Sequence, residues 1–206
     1  MNVITQTPVR MSFLGGGTDY GEFFLRHGGG AVLATAIDKY SYLQVSELHD
    51  FFDYALRVSY RRTELAHSVD EVEHPSVREC LKFMKMDQPL QIHYSGDLPA
   101  RTGLGSSSSF TVGLLHALYA MKGQAVGPGR LAHDACEIEH EWIKERVGYQ
   151  DQYMAAYGGV RHVEFSATGE ITVSPVPITR GRFDTFRAHI LVFYTGLTRL
   201  AHQVLE

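Results

Sequence analysis

Between residues 98 and 118 the chain reads LPARTGLGSSSSFTVGLLHAL, a run of small residues that turns abruptly apolar. Gly103, Gly105 and Ser106 to Ser109 stand directly before it. A turn that opens a helix presents unpaired backbone N–H groups and the positive end of the helix dipole. Glycines remove the side chains that would hold an anion away, and serine hydroxyls add donors. The run from Gly103 through Leu104, Gly105, Ser106 and Ser107 to Ser108 therefore has the chemistry of a phosphate cradle. A tight turn with a serine N-cap is the plainer alternative, and the lysine of the P-loop pattern does not occur in it. A flexible Gly/Ser linker does not fit, because an apolar strand enters the run and an apolar helix leaves it.

Two other stretches carry residues of the same chemistry. TPVRMSFLGGGTDYGE, residues 7–22, holds Arg10, three consecutive glycines and Asp19. The glycines allow a positive-φ turn or a close backbone approach, and Asp19 is either a free carboxylate or a helix N-cap. EIEHEWIKERVGYQDQYMAAYGG, residues 137–159, holds Glu137, Glu139, Glu141 and Asp151. Helical spacing puts Glu137 and Glu141 on one face and leaves Glu139 on the other, with Cys136 and Ile143. An acid on the less exposed face invites a partner or a cation. Asp151 stands in a stretch of low charge near a helix start, where capping is again the alternative. A cradle for phosphate, two acids in different settings and Arg10 are the parts of metal-assisted phosphoryl transfer.

The elements that must position these residues follow from periodicity. VITQTPVRMSF reads as an extended segment with Pro8 at an edge or a bulge. TDYGEFFLRHG reads as a short helix opened by Thr18 or Asp19 and stopped by Gly28. GAVLATAIDKYSYLQVSEL reads as one long strand, with YALRVSY as a shorter strand paired to it. HPSVRECLKFMKM is a helix entered at a proline, PLQIHYSGDLP a strand, and the stretch from Phe110 a buried helix. GPGRLAHDACEIEHEWIKERVG and YQDQYMAAYGG are two further helices, and VRHVEF with EITVSPV a hairpin. FRAHILVFYTG reads as a strand and LTRLAHQVLE as the start of a helix. Strands lead and helices cluster after residue 105, which predicts α+β layers. The strand and helix at the C-terminal end read as the opening of a second domain. The expectation is one domain over 1–184, the beginning of another over 185–206, and a chain that is a fragment of a longer protein.

Composition narrows the partners. The 206 residues are 44% hydrophobic and 20% charged, with a formal net charge of −4, which argues against a general nucleic-acid surface. No run reaches the roughly 20 apolar residues of a membrane span. Two cysteines point to a reducing cytoplasm rather than a disulfide framework. Arg57, Arg61 and Arg62 form a basic cluster that suits a sugar phosphate, or simply a solvated strand end.

PARTGLGSSSSF resembles the second motif of the GHMP kinase family, P-x-x-x-G-L-G-S-S followed by Ala or Ser. PVRMSFLGGGTDY is similar in length and placement to the family's first motif, and GYQDQYMAAYGG resembles the helix that carries its catalytic aspartate. The separation of Glu139 from Asp151 fits the family as well. GGGTD, GAVLATAIDKY and VGYQDQY together resemble the D-glycero-D-manno-heptose 7-phosphate kinase branch and its fucokinase-like relatives. Galactokinase-like members carry a Glu-His pair where Gly16 and Gly17 stand, and the family's glycine-rich third motif has no counterpart in these residues.

The resemblance implies the family's two-layer α+β N-terminal domain, of the type also seen in a ribosomal protein, with ATP and Mg2+ as cofactors. Gly103 to Ser108 would hold the ATP phosphates, and Ser107 and Glu139 the magnesium. Asp151 would orient or deprotonate the acceptor hydroxyl, with Arg10 keeping it ionised. Gly17, Thr18 and Asp19 would meet a small-molecule sugar or sugar phosphate, most readily at the anomeric hydroxyl of a heptose 7-phosphate. An unphosphorylated sugar, a decarboxylase output and a binding module without catalysis are the alternatives. The assembly is open, a homodimer included.

Overall fold

The computed structural model describes residues 1–49, 51–99 and 102–193. Its centre is a mixed sheet built on the long strand β2 (Gly30–Glu47). β1 (Asn2–Leu14) pairs with one edge of β2 along nearly its whole length, antiparallel. The other edge of β2 is shared. β5 (Leu90–Gly96) pairs with Ser41–Glu47, and β6 (Val160–Phe165) with Gly30–Thr35. β3 (Leu56–Ser59) lies parallel to β5 and antiparallel to β4 (Thr63–Ala66), while β7 (Ile171–Pro175) closes a hairpin with β6.

Val32 and Ala34 in the first half of β2 and Leu43 and Val45 in the second are buried against one face, the odd spacing between the pairs being taken up where the β1–β2 register shifts between Pro8 and Arg10. Helices cover that face: α2 (Pro75–Phe83), α3 (Ser106–Met121), α4 (Pro128–Glu137) and α5 (Gln150–Tyr157). α3 is apolar around most of its circumference, as a helix enclosed by neighbours must be. Gly113 lets it close on the sheet, since a Cβ there would lie 2.7 Å from Thr7 Oγ1 and 3.0 Å from Leu43 Cδ1. The main core joins Leu43, Val45, Leu90 and Ile92 of the sheet to Leu81, Leu114, Leu118 and Ile138 of the helical layer. A smaller cluster of Phe24, Val32, Met154 and Phe165 seats α1 (Gly21–Phe24) and α5 on the opposite end of the sheet.

Most sequence expectations agree with this architecture, including an edge or bulge position for Pro8, which stands on the edge strand β1 where its register with β2 shifts between Pro8 and Arg10. Five features differ. YALRVSY supplies β3, but β5 occupies the edge of β2, so β3 pairs with β5 instead. Neither Thr18 nor Asp19 caps α1, which has Tyr20 at its N-cap, because both side chains are engaged elsewhere. RRTELAH, with no strand expected in it, forms β4, which is short and largely exposed. The helix of residues 127–148 ends early: α4 passes into a π-helical turn, Ile138–Trp142, and Lys144 at φ 62 stops it.

The fifth difference is at the C-terminal end. Arg180–Ala188 forms a helix, α6, which runs across the boundary expected at 184–185. Phe183 and Phe186 stand three apart on it, and Phe186 packs edge-on against Phe13. A strand read from Phe186 onward cuts through that helical spacing. The expected helix LTRLAHQVLE lies outside the described residues.

Candidate active site

Arg10 follows directly on the shift in β1–β2 register, where Pro8 lies opposite Tyr40 and Arg10 opposite Ala36, so that the extra residues fall on β2. The guanidinium donates from Nε to Asp151 Oδ1 at 2.7 Å and from Nη1 to the Gly103 carbonyl at 2.6 Å. The backbone N–H of Arg10 donates to the Leu104 carbonyl at 3.0 Å. One residue thus fastens the glycine-serine loop to the acid of α5. The pair is shielded without being sealed, with side-chain exposures of 14% for Arg10 and 24% for Asp151.

Gly105 stands where loop and acid meet. Its φ of 74 is left-handed, and a Cβ there would lie 3.0 Å from Asp151 Oδ2 and 3.4 Å from Arg10 Cγ. Gly105 is also the N-cap of α3 and brings no side chain to the first-turn N–H groups of Ser106, Ser107 and Ser108. The first helical bond runs from Ser109 N–H to the Gly105 carbonyl. A donor-rich, positive helix end therefore opens beside a carboxylate.

Glu139 lies on the π-helical turn, a feature frequent at functional sites. Past that turn, Glu145 N–H closes back on the Glu139 carbonyl at 2.8 Å, with left-handed Lys144 between them. The Glu139 side chain is 1% exposed, beneath the first turn of α3. Its Oε2 accepts from Ser108 Oγ at 2.8 Å and Gln152 Nε2 at 2.6 Å, whereas Oε1 is buried without a protein partner. Burial pushes the carboxyl up to about 7, against the opposing pull of the nearby Thr111 hydroxyl, which itself donates to the Ser107 carbonyl, and of Ser108 and Gln152. A buried carboxylate oxygen with no partner, among hydroxyl and amide oxygens, fits a hard divalent cation. Ser107 is exposed at the adjacent position, and the hydroxyl hydrogen-bonded to Glu139 is that of Ser108.

Burial also raises the pKa of Asp151; the charge of Arg10 opposes this, and the nearby Asp19 adds to it. Asp19 is 1% exposed. Its Oδ1 accepts from Gly17 N–H at 3.0 Å and its Oδ2 from Gln150 N–H at 3.2 Å, and its carbonyl accepts from Tyr149 N–H at 3.1 Å. Gly148 presses on the carboxylate so closely that no Cβ fits there. Thr18 Oγ1 donates to the Gly15 carbonyl at 2.8 Å and accepts from Ala31 N–H at 3.1 Å. The triple-glycine loop is thereby pinned to β2 by Thr18 and to the start of α5 by Asp19.

The structure thus brings Arg10, Gly103, Leu104, Gly105 and Asp151 into direct contact, and links Ser108 with Glu139 and Asp19 with α5. It does not bring in the basic cluster. Arg62 pairs with Glu64 and Glu73 beside the β3–β4 hairpin, beyond β5 from β2. Sequence reasoning passed over Gln152 and Gly148. Gln152 carried a signal, a polar residue at helical spacing from Ala155 and beside an acid; Gly148 carried none beyond its place near a helix end.

Residues 75–159 match the family model of the GHMP kinases N terminal domain. Across the curated proteins it is 29% identical over 211 aligned positions to D-glycero-alpha-D-manno-heptose 7-phosphate kinase of Campylobacter jejuni, covering 98% of the chain and 62% of that protein. A galactokinase of Pyrococcus furiosus is 32% identical over 105 residues, 51% of the chain and 28% of that protein. Among solved structures, a D-glycero-D-manno-heptose 1-phosphate kinase from Bacteroides thetaiotaomicron superposes with a TM-score of 0.76 at 24% identity, covering 88% of the chain and 61% of that one. The chain thus spans about six tenths of the length of its heptose kinase relatives. Among the described residues, no helix is long and apolar enough to cross a membrane.

Proposed function

We propose that this chain is the nucleotide- and sugar-binding part of an ATP-dependent sugar kinase whose acceptor is the anomeric hydroxyl of a heptose 7-phosphate. The contact of Arg10 with both Asp151 and the Gly103–Gly105 loop carries this reading. It puts a carboxylate base and a phosphate cradle within one hydrogen-bonded unit. The heptose acceptor rests on the heptose 7-phosphate kinase that aligns with 98% of the chain. Residues 1–184 form the domain that binds both substrates and 185–206 open the next, with α6 joining the two. Two free, buried cysteines suit a reducing cytoplasm.

Each residue has a defined part in this scheme. The first-turn N–H groups of α3 and the loop of Gly103 to Ser108 receive the ATP phosphates. Asp151 takes the proton of the acceptor hydroxyl; its Oδ2 is the oxygen not engaged by Arg10. Burial makes it a stronger base, and Arg10 keeps it ionised for the task. Arg10 also offsets charge on the transferred group. Gly17 and Thr18 meet the sugar, with Asp19 holding their loop from beneath. Glu139 Oε1, with the hydroxyl of Ser107, would hold Mg2+. When bound, the ion neutralises phosphate charge and orients the transferred group.

Asp151→Asn in the full-length protein tests the assignment. Turnover should fall by about 10² or more, with the thermal midpoint little changed because the amide keeps the shape. Near-normal turnover would remove Asp151 from the chemistry.

A further inference from the structure

The donors that reach Glu139 divide unequally between its two oxygens. Ser108 Oγ and Gln152 Nε2 both bind Oε2, at 2.8 and 2.6 Å, and Oε1 receives nothing from the protein. A glutamate carboxylate turns about a broad, two-fold terminal torsion, so its oxygens are interchangeable unless donors pin one of them. Ser108 comes from the first turn of α3. Gln152 comes from α5, next to Asp151, and is itself fully buried.

The chemical type at position 152 is informative. Gln152 Oε1 is buried with no partner, a state that native proteins rarely retain for packing alone. A methionine would fill the same volume without burying an unpaired carbonyl. A lysine or arginine would hold Oε2 but neutralise the charge a cation needs. A neutral amide donor fixes the carboxylate and leaves its charge available.

We infer that Gln152 is a positioning residue: its amide holds Glu139 Oε2 so that Oε1 is presented to the divalent cation, in fixed register with Asp151 on the same helix. The inference rests on the proposed magnesium-assisted reaction. It concerns a residue of α5 that touches neither sugar nor nucleotide, and it acts through Glu139 alone. Partners of this kind, one shell out from a metal, typically set 10- to 100-fold in metal affinity.

The test compares wild type, Gln152→Met and Gln152→Leu as full-length proteins. Calorimetry gives the affinity for the non-hydrolysable ATP analogue AMPPNP with and without Mg2+, and the ratio of the two is read. Wild type should show a clear gain on adding metal. In Gln152→Met that gain should shrink by about 10-fold or more, while metal-free affinity for the nucleotide and KM for the sugar stay as they were. Gln152→Leu removes the same donor with a different side-chain shape and should shrink the gain in the same direction, which keeps the test decisive if Gln152→Met does not fold. A wild-type protein with no metal gain would overturn the magnesium reading itself. A normal wild-type gain that both variants retain would leave that reading standing and overturn the role of Gln152.

Discussion

Glu139→Gln separates the electrostatic state of the buried acid from its shape. The folded chain holds the Glu139 proton more tightly than an unfolded chain does, with a pKa raised from 4.5 to about 7 by burial. Such a group favours folding while it is protonated. That contribution is present below the unfolded pKa and is withdrawn as pH rises from 4.5 through about 7. The full loss is about 3 kcal/mol, because each tenfold change in proton affinity is worth roughly 1.4 kcal/mol. Between about pH 5.5 and pH 8 the linkage gives about 2 kcal/mol. Glutamine keeps the volume and carries no charge, so the variant lacks this slope. Urea denaturation of both proteins in EDTA should show the variant gaining on its parent by about 2 kcal/mol across that interval, roughly a 1 M shift in midpoint for an m-value of about 2 kcal/mol/M. Saturating Mg2+ should offset the loss in the parent at the alkaline end and leave the variant unmoved. Parallel pH profiles for the two proteins would refute the argument that Glu139 is buried and under-compensated.

Two other substitutions probe the parts around it. Asp19→Ala leaves the N–H groups of Gly17 and Gln150 without their acceptor, so stability should fall by about 1–3 kcal/mol. In steady-state kinetics its KM for the sugar should rise while that for ATP holds; a shift in the ATP constant alone would move the 15–19 loop off the acceptor side. Gly105→Ala should lower stability by about 1–2 kcal/mol, because an alanine must adopt a left-handed backbone at φ 74. The added Cβ also presses on Asp151, so turnover should drop with it; unchanged turnover would mean the loop does not abut the acid.

The parts of the site that were legible in the sequence are those whose residue type is itself the signal. Glycines before a serine run, an acid on the buried face of a helix and a proline inside a strand each narrow the local geometry to one or two forms. The structure supplies one of those forms at Gly105, Glu139 and Pro8. What sequence reasoning missed depends on contacts across the fold. Thr18 and Asp19 look like helix caps from their neighbours, but β2 and α5 compete for their side chains and win. β3 could be assigned as a strand, whereas its partner depended on which strand took the edge of β2. The π-helical turn leaves the 3.6-residue rhythm almost intact, so periodicity alone runs the helix past Trp142. Gln152 has meaning only once Glu139 is beside it.

The most direct test of the central claim is 31P NMR of the full-length protein with ATP, Mg2+ and D-glycero-D-manno-heptose 7-phosphate, alongside sedoheptulose 7-phosphate, fucose and galactose. The account predicts ADP together with a new monoester signal, split by the anomeric proton, in the heptose 7-phosphate sample, with Asp151→Asn silent under the same conditions. ATP that binds yet yields no sugar phosphate with any of the four acceptors would contradict it.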